Sequence, residues 1–597
     1  MPADSSLFHT MSTLRTMRAV GGGGYALFVG SFVFVALLEV AGVGLLPAFI
    51  AALNEPRSLL EQAGLSRVHP FATMDDERVI TTIGAILATF FVAKNLLLVA
   101  IAYFQAEFIA SRQAALSVRL LSAYMHQPYT FHLQQNSSEL IRNTTGVVFN
   151  IFGGVLMPAS AVLTEALVIA MVAALLLAVS PLATLLALGL IGGVSLMFYR
   201  YFRARVRQLG EHQLQQSAGM FKWVTQGLGG IKDVIILGRE KFFVDSYAKR
   251  VIGYSRTSTR VQTIAALPRL FVETLVICGM VLVVLLMVQS GTPLKSIFPT
   301  LVLFGVAALR LMPSVTRIVG SLTTIKFHQP AVETVAHALA QNALDESAQK
   351  TTVRRMAFTD AIDVQALSYT YPGTQVPALR DVSLRIPKGA MVAFVGRSGA
   401  GKSTLVDILI GLHLPSSGTV RVNGADIADN LRGWQENIGY VPQTIFLTDD
   451  SVRRNVAFGI NDADIDDTKV MHALEAAQLG EFVQGLPAGL DTMMGERGSR
   501  VSGGQRQRIG IARALYRDPE VLVLDEATTA LDRPTADEIS AVLVALAGEK
   551  TILLIAHQMT TVKVCQQVFL LRDGELAAAG SFEKLARTHP GFQALVE

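Results

Sequence analysis

Nine residues, Gly396-Arg397-Ser398-Gly399-Ala400-Gly401-Lys402-Ser403-Thr404, narrow what this chain can become more than any other stretch. They follow the apolar run 391–395, expected as a strand, and precede 405–412, apolar enough for a buried helix. Strand, G-x-x-x-x-G-K-S, helix is the context of a phosphate cradle. Its glycines let backbone N–H groups turn inward, and the helix N-terminus adds partial positive charge. In that reading Gly396, Ser398, Gly399, Gly401 and Thr404 shape the cradle, Lys402 reaches the β- and γ-phosphates, and Ser403 ligates Mg2+. A glycine-rich turn without a ligand is the bland alternative.

The residues before position 330 obey a different rule. Only 16% of the chain is charged, against about 25% in soluble proteins, so a large part is expected in lipid. Apolar runs near 25–53, 79–104, 155–179, 182–202, 265–289 and 297–322 are each long enough to cross a bilayer as a helix. Ser180-Pro181 reads as a tight hairpin between the third and fourth, and 105–146 and 203–263 as long polar arms. Residues 58–65 read as a short surface helix between the first two spans. Between Arg200 and Arg260 twelve Lys/Arg face four Asp/Glu, whereas residues 54–78 hold three against five. The positive-inside rule then makes the arms cytoplasmic and 54–78 external.

After residue 356 short apolar runs alternate with helical ones, an α/β pattern. The expected fold is thus an α-helical membrane domain of six spanning helices with long cytoplasmic extensions (1–330), a linker (331–355), and an α/β P-loop nucleotide-binding domain (356–597). The net charge of +4 is too small to argue for nucleic acid, and Cys278 and Cys565 have no disulfide or metal spacing. The N-terminus shows no clear cleavable signal.

Further motifs follow the cradle in order. The run 521–524 is apolar and ends in Asp525-Glu526, at the strand end where ligands collect in open α/β sheets. Asp525 is placed to hold Mg2+ through water, and Glu526 to polarise an attacking water. Val501-Ser502-Gly503-Gly504-Gln505 opens a helix and forms a second anion site.

That stretch resembles the L-S-G-G-Q signature of ATP-binding cassette proteins, with Val501 in place of leucine. The resemblance implies ATP and Mg2+, with Ser502, Gly503, Gly504 and Gln505 capping the γ-phosphate of ATP held by the other subunit. It implies that Tyr371 stacks on adenine, a packed or surface tyrosine being the alternative. Gln443, in Val441-Pro442-Gln443, then senses Mg2+ and couples to the membrane arms, Asp532 belongs to a loop across a dimer, and His557 contacts the γ-phosphate. Gly495-Glu496-Arg497-Gly498 is similar to a loop of exporters, while Gln558 stands where an arginine is usual. Six spans and one cassette resemble the half-transporter plan, implying a homodimeric ATP hydrolase that drives transport.

Substrate must be sought in the spans, where polar groups are costly. Lys94, Arg269 and Arg310 form a candidate cationic cavity for an anionic headgroup; Glu39, Glu165 and Glu273 could instead pair with such cations structurally. The stretches 38–47, 127–132, 138–143, 229–233 and 237–240 are similar to bacterial lipid-linked oligosaccharide flippases of the PglK type. That resemblance implies a polyprenyl-pyrophosphate-linked oligosaccharide moved across a bacterial inner (cytoplasmic) membrane, with the cassette in the cytoplasm. An exporter of drugs, lipids or peptides, and more remotely an ATP-gated channel or sensor, remain the alternatives.

Overall fold

A 50-residue α-helix is about 75 Å long, more than twice the ~30 Å hydrocarbon core of a bilayer, and this chain builds several of that size. The computed structural model describes residues 24–54, 75–179, 181–289, 294–341, 354–526, 533–556 and 558–596. The short helix expected at 58–65 lies outside them. Contacts fall into two units, Met1–Gln127 with Gln135–Leu344, and Pro128–Gln134 with Asp345–Glu597.

In the first unit the helices are α1 (Tyr25–Asn54) and α2 (Asp76–Met125), then, after α3 (Tyr129–Gln134) of the second unit, α4 (Ser137–Arg142), α5 (Val148–Ile151) and α6 (Met157–Val179). They are followed by α7 (Pro181–Gly229), α8 (Ile231–Ile236), α9 (Glu240–Gln289) and α10 (Leu294–Gln341). The apolar runs expected as spans lie on α1, α2, α6, α7, α9 and α10; the arms extend α2 to Met125, α7 to Gly229 and α9 back to Glu240, with the short helices α3, α4 and α8 at their turns. Helix α10 runs past the expected end of the membrane domain to Gln341. Among the described residues four helical segments, in Tyr25–Gly42, Asp76–Met125, Ser137–Ala174 and Glu240–Gly279, are long and apolar enough to cross a membrane. The side chains of residues 294–310 of α10 lie outside the described set.

Two π-helical turns, Asn143–Val147 and Phe152–Leu156, separate α4, α5 and α6. Each widens the helix by one residue, which turns the following face relative to the preceding one. Two glycines set how closely α10 approaches. A Cβ at Gly154 would overlap the His328 ring, and one at Gly210 of α7 would overlap the Phe327 carbonyl. Ala36, Val168, Val172 and Leu311 form one buried cluster of the bundle, and Val206, Leu209, Val261 and Phe327 another.

The second unit holds two sheets. One is antiparallel with order β2-β1-β4-β5, formed by β1 (Ala361–Tyr369), β2 (Leu379–Pro387), β4 (Ser417–Val422) and β5 (Ala425–Asp426). The other has order β10-β9-β3-β8-β7-β6, formed by β3 (Met391–Val395), β6 (Ile438–Val441), β7 (Val521–Asp525), β8 (Thr551–Ile555), β9 (Gln567–Arg572) and β10 (Glu575–Gly580). Strands β9, β3, β8, β7 and β6 are parallel, and only the edge strand β10 is antiparallel. Every residue of β3 is buried. Met391, Ala393 and Val395 join one apolar cluster, while Val392 and Phe394 join the other, so alternate side chains feed layers on opposite faces.

The register aligns the carboxyl ends: Phe394 lies opposite Ile555, Asp525 opposite Ile555, and Val441 opposite Leu524. The phosphate loop, Asp525-Glu526 and the Gln443 loop therefore leave the sheet along one edge. His557 and Asp532 lie outside the described residues.

Candidate functional site: a phosphate cradle at the sheet edge

The cradle connects β3 to α11 (Lys402–Leu409), and its glycines are required by conformation. Gly401 precedes the helix with φ +96°, and a Cβ there would meet the Ala378 carbonyl and Leu379 at 2.8 Å. Gly396 has φ +152°, and a Cβ would overlap the Leu571 carbonyl. Side chains are thus excluded on the protein side of the loop. A Cβ at Gly399 meets nothing within 4 Å, so the opposite side is open.

Lys402 is buried and folds across the loop, its Nζ donating to Gly396 O at 2.9 Å and Arg397 O at 3.2 Å. Burial lowers its pKa, and the carboxylates of Glu526 and Asp525 work in the opposite direction. Ser403 and Ser398 are exposed, whereas Thr404 is buried.

Glu526 continues from β7 in the left-handed region, φ +49°, a conformation that costs a non-glycine residue energy and is concentrated at functional sites. Its amide donates to Ile555 O at 3.1 Å, which anchors the turn to β8. Its carboxylate accepts from Gln443 Nε2 at 2.6 Å, joining residues 83 positions apart. Ser403, Asp525, Glu526 and Gln443 offer only oxygen donors to a cation. Such a set fits Mg2+, which keeps waters and takes one or two protein oxygens beside substrate phosphates.

The signature helix α12 (Gly503–Leu515) is closed by a reciprocal cap. The Gln505 amide donates to Ser502 Oγ at 3.2 Å, and the Ser502 amide donates to Gln505 Oε1 at 2.9 Å. These hydrogen bonds are internal to the motif, and the helix packs on β6 and on the helices Val452–Val456 and Asp467–Ala476.

Tyr371, expected against adenine, is half-buried, with Oη 3.0 Å from Thr404 Oγ1 and its ring edge-on to Tyr369 and His413. Three neighbours escaped the sequence reading. Tyr440 on β6 shares a side-chain hydrogen bond with Asp525; burial, then Asp525 and Asp407, raise its phenol above the ordinary range. His413 is almost fully buried. Asp407 on α11 has its pKa raised from 3.8 to about 6 by burial, with the Asp525 charge adding to it. A carboxylate inside the apolar run 405–412 was the visible signal for Asp407.

That shift has a direct consequence for stability. Between about pH 4 and 6 the folded chain holds a proton on Asp407 that the unfolded chain has released, so stability falls as pH rises through the window. Asp407→Asn is expected to raise the thermal midpoint above pH 6 and leave it little changed near pH 4. Thermal scans in EDTA without nucleotide check this; the same gap at both pH values would exclude the carboxyl as its source.

In the membrane unit the three candidate cavity cations, Lys94, Arg269 and Arg310, are not alike. Lys94 is buried and donates to Glu39 at 3.0 Å, so α1 and α2 are joined by an internal ion pair. The physical reason is that a charge withdrawn from water must be compensated, and breaking a buried pair typically costs ~3–5 kcal/mol. Glu165 likewise pairs with Arg317, a cation the sequence reading passed over. Arg269 is exposed on α9 beside Pro268, and no described residue forms an ion pair with it. The Arg310 side chain lies outside the described set.

The sheet edge and the long helices accord with two family matches: the ABC transporter model covers residues 379–529, and the ABC transporter transmembrane region model covers 46–308. The chain belongs to the ABC transporter family, on the exporter half-transporter plan, and couples hydrolysis of ATP, used with Mg2+, to transport. Among its relatives, the ATP-dependent lipid A-core flippase of Dechloromonas aromatica (strain RCB) is 30% identical over 414 residues, 69% of each chain. That of Saccharophagus degradans is 28% identical over 475 residues, 78% of each chain, and that of Vibrio parahaemolyticus 40% identical over 225 residues, 38% of each. A solved bacterial Atm1-family ABC exporter with ATP bound matches 96% of this chain and 98% of its own, with TM-score 0.78 and 21% identity, a likeness of fold.

Proposed function

We propose that two copies of this chain form an ATP-driven flippase for a saccharide-bearing lipid with an anionic headgroup, in a bacterial inner membrane. The leading substrate is a polyprenyl-pyrophosphate-linked oligosaccharide. The observation that carries the anionic headgroup is the contrast among the membrane-unit cations: Lys94 and Arg317 are neutralised within the bundle, while Arg269 has no described counter-ion. Arginine's planar fork suits phosphate oxygens, and Arg310 is the second candidate. The homodimer is supported by the presence of one cradle and one self-capped signature per chain.

In the ATP site we assign Tyr371 to the base and the cradle with Lys402 to the phosphates. Ser403, Asp525 and Gln443 attend Mg2+, Glu526 the attacking water, and His557 the γ-phosphate. Ser502–Gln505 and Asp532 act on the opposite protomer's nucleotide. A second reading, in which lipid A-core is the cargo, is favoured by the names of the relatives.

The test is reconstitution in liposomes with each lipid offered separately. The expected result is that the polyprenyl-linked saccharide raises ATPase activity and crosses the leaflet, and that Arg269→Ala and Arg310→Ala cut flipping more than basal ATPase. Stimulation by lipid A-core alone would select the second reading. Stimulation only by uncharged amphiphiles would defeat both.

A further inference from the structure

Behind the cradle, three tyrosines from three segments of the second unit meet at one imidazole. His413 follows α11 in the loop before β4 and is 2% exposed. Its backbone is fixed by the helix end, the His413 amide donating to Asp407 O at 3.3 Å. The ring stacks on Tyr369, with centroids 5.1 Å apart and planes 25° apart. Tyr371 meets it edge-on at 5.6 Å, and Tyr129 of α3 lies at 5.6 Å with a 45° tilt. Among the described residues neither ring nitrogen of His413 has a hydrogen-bond partner, nor has the buried Tyr369 hydroxyl.

We propose that His413 is a positioning residue that ties the orientation of Tyr371 at the nucleotide pocket to that of Tyr129 at the start of α3. The inference rests on the assignment of Tyr371 to the base. The three tyrosines are held with unequal firmness. Tyr369 is buried and register-paired with Leu379 of β2, so it is a fixed wall. Tyr371 is held outside the strand by one side-chain bond, from its hydroxyl to Thr404, which follows the Ser403 of the cradle. Tyr129 is 41% exposed on a six-residue helix with no buried residue.

A rotation of Tyr371 therefore presses on the imidazole, and of the ring's two other aromatic neighbours Tyr129 is the exposed one. No hydrogen bond pins the ring against that movement. Burial also lowers its pKa, which keeps it neutral and free of any need for a counter-ion. The unpartnered nitrogens and the Tyr369 hydroxyl further mark a cluster whose polar groups are unsatisfied as packed. Buried polar groups of that kind are costly, so a second arrangement that pairs them is within reach. Helix α3 continues directly from the 50-residue α2 through the intervening turn, so movement at Tyr129 enters the chain where it returns to the membrane unit.

The experiment places 3-fluorotyrosine at position 129 of the full-length protein in nanodiscs and records its fluorine resonance with and without the Mg2+ complex of a non-hydrolysable ATP analogue. The expected result is a nucleotide-dependent shift in the parent. In His413→Leu that shift falls at least threefold while the analogue's Kd changes less than threefold, and His413→Phe, which keeps an aromatic ring, restores it. A full shift in His413→Leu, or no recovery in His413→Phe, overturns the proposal. Should His413→Leu not fold, Tyr371→Phe supplies the same test. By removing the bond to Thr404 it should move the Tyr129 resonance without nucleotide, and do so to within twofold when His413→Phe is combined with it; an unmoved resonance in Tyr371→Phe overturns the coupling. Separately, Tyr371→Ala must weaken the analogue. If it does not, the assignment of Tyr371 to the base fails, whatever the fluorine shift shows.

Discussion

Replacing Glu526 by glutamine is expected to lower steady-state ATP turnover by ~10²–10⁴-fold, the usual contribution of a general base, while ATP affinity stays within a few-fold. Glutamine keeps the shape of the side chain and can still meet Gln443, but it cannot accept a proton from water. The backbone at this position is already held in the left-handed region and tied to β8 through Ile555, so the substitution alters chemistry and not placement. Phosphate release and equilibrium ATP binding, measured on the same preparation, separate the two effects. The variant should also accumulate a closed, ATP-loaded dimer. Turnover near the parent's would remove Glu526 from the role assigned to it.

The second large effect is expected at Lys402. Its ammonium spans the loop through Gly396 O and Arg397 O, with burial acting against the charge and Asp525 and Glu526 supporting it. Phosphates would replace those carbonyls as partners. A hydrogen bond to a charged group contributes ~1.5–3 kcal/mol, about 10–100-fold in affinity, and Lys402 has more than one donor to lose. Lys402→Ala should therefore weaken ATP by at least ~10-fold in titration calorimetry. Lys402→Arg should not restore it, because a planar fork cannot replace a point charge in a space closed by the loop carbonyls. An unchanged Kd would leave the cradle without its cation and sink the reading of the loop.

The parts of the site that were legible in the sequence are those whose chemistry is local. The Gly396–Thr404 loop states its own conformation, because only glycine tolerates the close approaches at positions 396 and 401. The apolar strand ending at Asp525 declares a buried parallel strand by composition alone. The long helices were legible for a similar reason, since an apolar run and its polar continuation share one period. Contacts across elements were not legible. Lys94 and Glu39 were both visible as costly charges, yet their pairing depends on how α1 and α2 rotate against each other. The π-helical turns at 143–147 and 152–156 leave no periodic signature, since one inserted residue resembles a normal helix in sequence. His413 was hidden because its surroundings come from β1, the turn after it, α11 and α3.

The grouping of Pro128–Gln134 with the second unit changes what counts as a transferable piece of this protein. A graft that exchanged the cassette at a single junction near residue 345 would carry the cradle, the signature and His413, but leave behind the ring of Tyr129 that covers one side of it. A hybrid assembled that way would inherit a mismatched seam even if both parents were sound. The natural exchange has three junctions, and the smaller segment, only seven residues long, has to travel with the larger one. Inheritance in such a chain is spatial before it is sequential: residues far apart along the polypeptide must change together, or not at all.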